Sequence, residues 1–308
     1  MKLQNIVIIF FLFSLSSCLK AHNINLRSKK EAPAQATDTP AENPVHSPHQ
    51  TIPIEDNYIP EIKVKDSFNT NIAWQKIKDG IDYIYLKNQF SSHVHLVKID
   101  LKNSSLKIDV SPEGDKGRNP MEHSNAMNAT IAINAAFFDG KYNPRGVSIS
   151  RGTSWKTVLY GNSSPFIHCT IENDCEVNHV GSKEVSSSWY SAAGGLHSLV
   201  SKGRMRSKSE DNLCGSFCTN LHPRSGVGLT EDRRYLILAL AEGRRDEVKG
   251  LTLSQFSTML HYAGAFEAIN LDGGGSSSLI IEGRLVSLRP TKEPYMRDVS
   301  NSILVTPR

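Results

Sequence analysis

The stretch A-I-N-L-D-G-G-G-S-S-S-L-I-I, residues 268–281, places three glycines and three serines between two apolar runs. A flexible linker would have polar flanks without a pattern, whereas short apolar runs that end at turn residues predict buried strands. The glycines can adopt backbone angles closed to other residues, and they let a ligand approach the main chain closely. The stretch therefore predicts a tight turn between two strands, where a ligand can reach the backbone.

The composition is that of a globular protein with one large domain. The chain has 308 residues, of which 39% are hydrophobic, and this is enough to bury a substantial core. Its formal charge of +4 is spread thinly along the sequence. Because there is no basic block, no aromatic-interleaved Lys/Arg stretch and no zinc-finger spacing, we expect no nucleic-acid partner.

The first residues predict export from the cell. Lys2 precedes an apolar run from Ile6 to Leu15, which has the length of a signal-peptide core and spans roughly half a membrane. The run ends in L-S-S-C, which resembles a bacterial lipobox. This resemblance implies that residues 1–17 are removed and that Cys18 is diacylated, anchoring the protein to the cell envelope. Leu19, in place of Asp, favours the outer membrane in a Gram-negative cell. The alternative is an ordinary signal peptide with an incidental cysteine.

A tether is predicted between this anchor and the domain. Residues 18–60 are rich in Pro, Ala, Ser and Thr, and such a segment cannot bury enough apolar surface to order itself. If extended at about 3.1 Å per residue, it reaches on the order of 100 Å from the lipid. We assign residues 61–308 to the folded domain.

The remaining cysteines predict two disulfides. An even number of cysteines in an exported chain indicates bridges, and proximity in sequence favours short loops. The predicted pairs are Cys169 with Cys175 and Cys214 with Cys218. Each short loop would add about 2 kcal/mol of stability. Metal binding with the nearby His168, His179 and His222 is the alternative, which oxidising surroundings disfavour, and we expect no metal or other cofactor.

The periodicity of the domain predicts the α+β class, with mostly antiparallel or mixed sheets and a few packed helices. Period-two alternation indicates strands with one buried face, and many strands with few helices do not form a regular βαβ alternation. The clearest helix is T-L-S-Q-F-S-T-M-L-H-Y-A-G-A, capped by Thr252 or Ser254 and ended by Gly264. The predicted strands are Ile81–Lys87, His93–Leu101, Ser105–Val110, Val147–Ser150, Ser154–Tyr160, a hairpin across Cys169 and Cys175, Leu196–Lys202 and Tyr235–Ala241, with a helix over Pro120–Ala129.

The glycine turn has the residue types of an anion cradle. Successive main-chain N–H groups in such a turn form an anion-binding concavity, and serine hydroxyls add donors. The predicted cradle consists of Gly273, Gly274, Gly275, Ser276 and Ser277, and Asp272 precedes it. The dinucleotide and P-loop alternatives fail, because the chain has neither G-x-G-x-x-G nor G-K-[ST].

Other segments accompany this turn in a definite order. They are I-N-A-A-F-F-D-G with Asn134, R-S-G-V-G with Arg224, an apolar strand that ends in Glu242, Gly243 and Arg244, and M-R-D-V-S-N with Arg297 and Asn301. Together with N-L-D-G-G-G-S-S-S, this ordered set resembles the phosphodiester glycosidase family. The resemblance spans residues 131–305.

The resemblance implies an enzyme that cuts the glycosidic bond of a sugar 1-phosphodiester, of N-acetylhexosamine type, and releases free sugar and a phosphomonoester. Asp272 fits the role of base or nucleophile, and Glu242 is the second carboxylate candidate. Guanidinium groups suit planar oxyanions, so we expect Arg224 and Arg297 to bind the phosphate together with the glycine turn and Asn134.

One departure from the family pattern favours an alternative function. Met296 stands where the family usually has Glu, which removes a carboxylate from beside Arg297. The alternative is a non-catalytic envelope lipoprotein that binds phosphorylated glycans or assists in exopolysaccharide assembly.

Overall fold

The computed structural model describes residues 73–157, 164–180 and 185–308. The predicted signal peptide, Cys18, the tether and residues 61–72 lie outside these ranges, as does the end of the strand predicted at Ser154–Tyr160. In the described ranges, no helix has the length and apolar character needed to span a membrane.

The described residues form eighteen strands and four α-helices. In chain order, the strands are β1 (Gln75–Lys78), β2 (Ile81–Gln89), β3 (Ser92–Asp100), β4 (Leu106–Val110), β5 (Ile131–Asn134), β6 (Ser148–Ser150), β7 (Thr153–Ser154), β8 (Phe166–Cys169), β9 (Cys175–Asn178), β10 (Ser191–Gly194), β11 (Ser198–Ser201), β12 (Arg204–Met205), β13 (Arg224–Leu229), β14 (Tyr235–Ala241), β15 (Glu267–Asn270), β16 (Leu279–Ile281), β17 (Arg284–Leu285) and β18 (Ser302–Pro307). The helices are α1 (Pro120–Ala126), α2 (Lys208–Cys214), α3 (Ser216–Thr219) and α4 (Leu253–Tyr262).

These strands build three sheets. The largest has the order β1-β2-β3-β14-β13-β15-β11-β12, and the two smaller ones have the orders β7-β6-β10-β8-β9 and β17-β16-β5-β18-β4. Every strand pairing among the described residues is antiparallel. The sheets therefore confirm the α+β class and are antiparallel rather than mixed.

Alternation along the strands divides the apolar side chains between two faces of the large sheet. On β2 and β3, Ile81 and Ile99 join a core that includes side chains from all three sheets. Ile84 and Leu96 point to the other face, where Phe256 of α4 packs against them as part of a second core. The large sheet is therefore a central layer, covered on one side by the small sheets and on the other by helices.

Local sequence signals explain the helix starts. The Asn119 side chain accepts the N–H groups of Met121 and Glu122 at the start of α1. Thr252, and not Ser254, caps α4, and its hydroxyl accepts from Gln255. The helices α2 and α3 were not predicted from the sequence, although the capping box of Ser207 and Glu210 indicates the start of α2.

Both predicted disulfides are confirmed. Cys169–Cys175 joins the ends of β8 and β9, and Cys214–Cys218 joins α2 to α3. Two of the histidines named for a metal site have other partners: the His168 ring stacks on Trp189, and His179 contacts Ser198 and Glu267. The histidine beside the second bridge is His197, whose Nε2 lies 3.6 Å from Cys214 Sγ.

Candidate active site

The glycine turn lies where the large sheet meets the small sheet of β5. The turn leaves β15, which pairs with β13, and returns to the neighbouring sheet through β16, which pairs with β5. Asn134 at the end of β5 is fully buried and links these elements. Its Nδ2 donates to the Asp272 carbonyl at 2.5 Å, and its Oδ1 accepts from Ser225 Oγ at 2.8 Å and from the Ser278 N–H at 3.1 Å. Asn134 therefore positions the turn: it is fully buried, and both of its polar side-chain atoms already bond to groups inside the protein.

Asp272 begins the turn with a carboxylate that is only partly accessible. Its Oδ1 accepts the Gly273 N–H at 3.0 Å. Burial raises the pKa of Asp272 from about 3.8 to about 6. The groups that offset part of this rise are Ser276, Gly273, Arg297 and Arg145. A carboxylate with such a pKa exchanges protons near neutral pH, as acid–base groups in enzymes do.

The predicted cradle of N–H donors is largely used within the turn itself. The Gly274 N–H donates to the Pro223 carbonyl at 2.9 Å, and Ser276 and Ser277 donate their N–H groups back to Gly273 and Gly274. The Ser276 and Ser277 hydroxyls are buried, without a well-aligned hydrogen-bond partner among the described residues. Gly274 has φ +60°, which favours glycine. The glycines therefore set the turn's shape and allow close approach, while most of their N–H groups face inward.

Guanidinium groups surround the turn instead. Arg289 donates to the carbonyls of Gly275 and Ser277 and holds the following segment against the turn. Arg244 packs on Gly274, where an added Cβ would come 2.9 Å from its Nη2. Arg297 lies against Gly275. Only Arg297 of these three was predicted as a phosphate ligand. Arg244 was noted only as part of a strand-end segment, and Arg289 lies in a segment without regular structure.

Glu293 bridges two of these guanidiniums. Its Oε1 accepts from Arg244 Nη1 at 3.0 Å and its Oε2 from Arg297 Nη2 at 2.7 Å. A Cβ added at Gly275 would overlap this carboxylate, so a side chain there would force the Glu293 carboxylate to move. Glu293 was not among the site residues predicted from the sequence.

Arg224 was predicted as a phosphate ligand, but it lies inside the protein. The residue is 2% exposed, and its guanidinium donates to the carbonyls of Leu251, Phe217 and Asn220 at 3.0, 2.7 and 3.1 Å. Burial lowers the pKa of Arg224 to about 10. Its hydrogen bonds go to neutral carbonyls, so Arg224 adds positive potential next to the site and fixes the α3 segment.

An aromatic group flanks the site. Half-buried Phe137, after β5, meets Phe217 of α3 edge to face with ring centroids 6.0 Å apart, and His197 lies 5.7 Å from the Phe217 ring. Neither ring was predicted as part of the site. Half-exposed rings beside a polar site suit the apolar face of a sugar.

Glu242, the second predicted carboxylate, is 1% exposed and has internal partners on both oxygens. Oε1 accepts from His95 Nε2 at 2.9 Å and from the Leu288 N–H at 2.8 Å, and Oε2 accepts from Arg245 at 3.0 Å. Burial would raise the pKa of Glu242, but the hydrogen bond from His95 and the other partners lower it overall. This geometry favours a structural role over contact with substrate.

Met296 is turned away from Arg297. Its side chain packs with an apolar cluster that includes Ala132, Ile280 and Leu304, on the side of the small sheet covered by α1. The carboxylate that the family pattern places at position 296 is therefore absent there, whereas the Glu293 carboxylate contacts Arg297 from four residues upstream of Arg297.

An ionisable carboxylate among guanidinium groups at the strand ends, beside half-buried aromatic rings, is typical of a hydrolase-type site for an anionic ligand. A family model described as phosphodiester glycosidase matches residues 127–306. The chain belongs to the phosphodiester glycosidase family.

Individual relatives are distant. The SPbeta prophage-derived uncharacterized protein YomE of Bacillus subtilis is 24% identical over 165 residues, which cover 52% of this chain and 25% of that relative. The catalytic domain of zebrafish N-acetylglucosamine-1-phosphodiester alpha-N-acetylglucosaminidase, auto-inhibited by its pro-peptide, has a TM-score of 0.61 at 19% identity, covering 76% of this chain and 86% of that one. A hypothetical protein from Synechocystis has a TM-score of 0.55 at 16% identity, covering 75% of this chain and 62% of that one. At these identities the solved structures show a shared fold.

Proposed function

We propose that this protein hydrolyses the glycosidic bond of sugar 1-phosphodiesters, of N-acetylhexosamine type, and releases free sugar and a phosphomonoester. One observation carries the proposal: Asp272, with a pKa near 6, stands at the strand ends under the electrostatic influence of Arg297 and Arg145. Family membership and the fold shared with the zebrafish catalytic domain support it.

The residues suit the chemistry of this reaction. The diester carries one negative charge, which the guanidiniums of Arg244 and Arg297 attract at the turn. Ionised Asp272 activates water, or attacks the anomeric carbon itself, as the bond from that carbon to the phosphate oxygen breaks. The bonding electrons leave with the phosphate, whose second pKa is about 6, so a strong general acid is not needed. Phe137 and Phe217 offer the sugar an apolar surface.

The structure weakens the argument for a purely binding protein. That alternative depended on the missing carboxylate beside Arg297, and Arg297 does have a carboxylate partner, Glu293, which holds its guanidinium at the turn. Catalysis is therefore the function that the site supports best.

The direct test is incubation of the purified protein with UDP-N-acetylglucosamine or another N-acetylglucosamine 1-phosphodiester, following free sugar by mass spectrometry. We expect equimolar free N-acetylglucosamine and the phosphate product. Saturable binding of several sugar phosphodiesters without any release would instead establish the binding protein.

We also propose that the protein is exported and held at the cell envelope by a lipid on Cys18, at the outer membrane in a Gram-negative cell. Two disulfides, which form in oxidising compartments, support export. Metabolic labelling with an alkynyl fatty acid, compared with the Cys18→Ser variant, tests the anchor. Failure to label the unaltered protein would leave an ordinary signal peptide.

The Cys214–Cys218 bridge should support the site as well as the fold. It closes the segment whose Phe217 carbonyl holds Arg224, so we expect Cys214→Ser/Cys218→Ser to lose about 2 kcal/mol of stability and several-fold in kcat/KM. Cys169→Ser/Cys175→Ser is the matched control and should lose similar stability in urea unfolding with little change in kcat/KM. Equal losses of kcat/KM in both variants would show that the first bridge has no special link to the site.

A further inference from the structure

Glu293 is fixed at the turn by more than one contact. Its carboxylate bridges Arg244 and Arg297 and touches Gly275, where any side chain would displace it. Its main-chain N–H donates to the Pro290 carbonyl at 2.9 Å, and Arg289 ties the same segment to the turn. The Glu293 side chain is 25% exposed, whereas those of Arg244 and Arg297 are 42% and 51% exposed. The two guanidiniums thus face solvent with a fixed carboxylate between them.

The charges of Arg244, Arg297 and Glu293 add up to a small positive charge. Arg244 and Arg297 contribute two positive charges and Glu293 removes one, so the three together present one net positive charge to a ligand. A phosphodiester carries one negative charge at neutral pH, whereas a phosphomonoester, with a second pKa near 6, carries close to two. A fixed carboxylate repels the second ligand about twice as strongly as the first, because Coulomb energy is proportional to each charge.

We propose that Glu293 is a specificity-determining residue that makes the site select phosphodiesters over phosphomonoesters. This inference rests on the proposed function, in which the diester is the substrate and the monoester is a product. By lowering affinity for the dianion, Glu293 disfavours binding of the free monoester and promotes release of the product after the glycosidic bond is cut. Glu293 remains between the guanidiniums when the ligand binds, and it takes no part in bond breaking.

The test compares the full protein with Glu293→Gln, which keeps the size of the side chain and removes its charge. Dimethyl phosphate is the diester probe and methyl phosphate the monoester probe, and their dissociation constants are measured by calorimetry at pH 8. We expect the variant to bind dimethyl phosphate about threefold more tightly and methyl phosphate about tenfold more tightly. The charge of methyl phosphate is about twice as large, so the change in its binding free energy is about twice as large and the fold-change in affinity is roughly squared. Inhibition of turnover by methyl phosphate should strengthen by the same factor.

A matched control separates the local effect from the overall charge. Glu172→Gln removes one negative charge from an exposed turn between β8 and β9, and its two dissociation constants should equal those of the unaltered protein. Thermal melting of both variants checks folding, and Glu293→Ala should show the same change in selectivity if the side-chain amide of Gln introduces no contact of its own.

Each result decides between distinct models. If Glu293→Gln lowers both dissociation constants by the same factor, the selectivity inference is wrong and the carboxylate only competes with any anion. If it changes neither constant, the inference is also wrong and Glu293 only forms surface ion pairs. Loss of turnover with unchanged dissociation constants would make Glu293 a catalytic residue and would also overturn it. If neither probe binds the unaltered protein or the variant, the anion site fails, and the proposed function fails with it.

Discussion

Replacing Asp272 with Asn should reduce kcat/KM for a sugar 1-phosphodiester by about a thousandfold, the scale of loss when a carboxylate base or nucleophile is removed. The amide keeps the size of the side chain and can still accept the Gly273 N–H, so the turn should keep its shape. It cannot take a proton from water or attack the anomeric carbon. Binding of dimethyl phosphate should persist or tighten slightly, because one negative charge near Arg297 is gone.

Asp174→Asn provides the control, since Asp174 is exposed in the turn between β8 and β9. Steady-state kinetics and calorimetry on both variants would separate the loss of chemistry from the loss of binding. If Asp272→Asn retained a tenth or more of the original kcat/KM, Asp272 would only shape the turn and another group would carry the reaction.

The pH dependence provides a second test of the same carboxylate. Because burial raises the pKa of Asp272 to about 6, kcat/KM should rise with pH through this region and level off above it, as the ionised form accumulates. If kcat/KM instead rose with pH near pH 4, the group responsible would be a solvated carboxylate. The residual activity of Asp272→Asn should lack the rise through the pKa of Asp272.

The raised pKa of Asp272 also makes the stability of the folded protein depend on pH. The pKa of Asp272 is about 3.8 in the unfolded chain and about 6 in the folded one, so the folded state binds the proton more tightly. Its stabilising contribution is present below pH 3.8 and is lost as the pH rises through 6, by up to about 3 kcal/mol. Asp272→Asn should therefore melt at a higher temperature than the unaltered protein at pH 8, and at nearly the same temperature at pH 4.

Strand periodicity predicted much of the fold because each strand has one apolar face that must be buried. The predicted Tyr235–Ala241 coincides with β14, and the Cys169–Cys175 hairpin forms as expected. The assembly of three separate sheets was not predictable, since strand order across sheets depends on contacts distant in sequence. The short helices α2 and α3 were missed because neither has enough length for a helical repeat.

The candidate site was predictable where a motif fixed the backbone and was unpredictable where side chains converge from irregular segments. The glycine turn and Asp272 stand at strand ends, as their pattern indicates. Arg224 and Asn134 are residue types that can bind phosphate, but their side chains form hydrogen bonds with the protein's own main chain and side chains. Glu293 and Arg289 lie in a segment without regular structure, so no spacing revealed that they contact Gly275.

Glu242→Gln should have the largest effect on stability, a loss of about 3 kcal/mol, because it disrupts a buried charged network. Gln can still accept from the Leu288 N–H through its oxygen, but its NH2 group would then face the Arg245 guanidinium where Oε2 stood. Urea unfolding at pH 7 measures the loss. Among the folded molecules kcat/KM should stay within about threefold of the original value, since both oxygens of Glu242 are already occupied inside the protein.

Acid stability distinguishes this structural role from catalysis. The pKa of Glu242 is lowered in the folded protein, since the bonds from His95 and Leu288 and the charge of Arg245 outweigh its burial. Its stabilising contribution is therefore present above the unfolded value of 4.5 and is lost as the pH falls through the folded pKa. Glu242→Gln should be less sensitive to acid over this range than the unaltered protein. If the variant instead kept full stability at pH 7 and lost turnover, Glu242 would be the second carboxylate of the reaction, and the network seen around it would open when substrate binds.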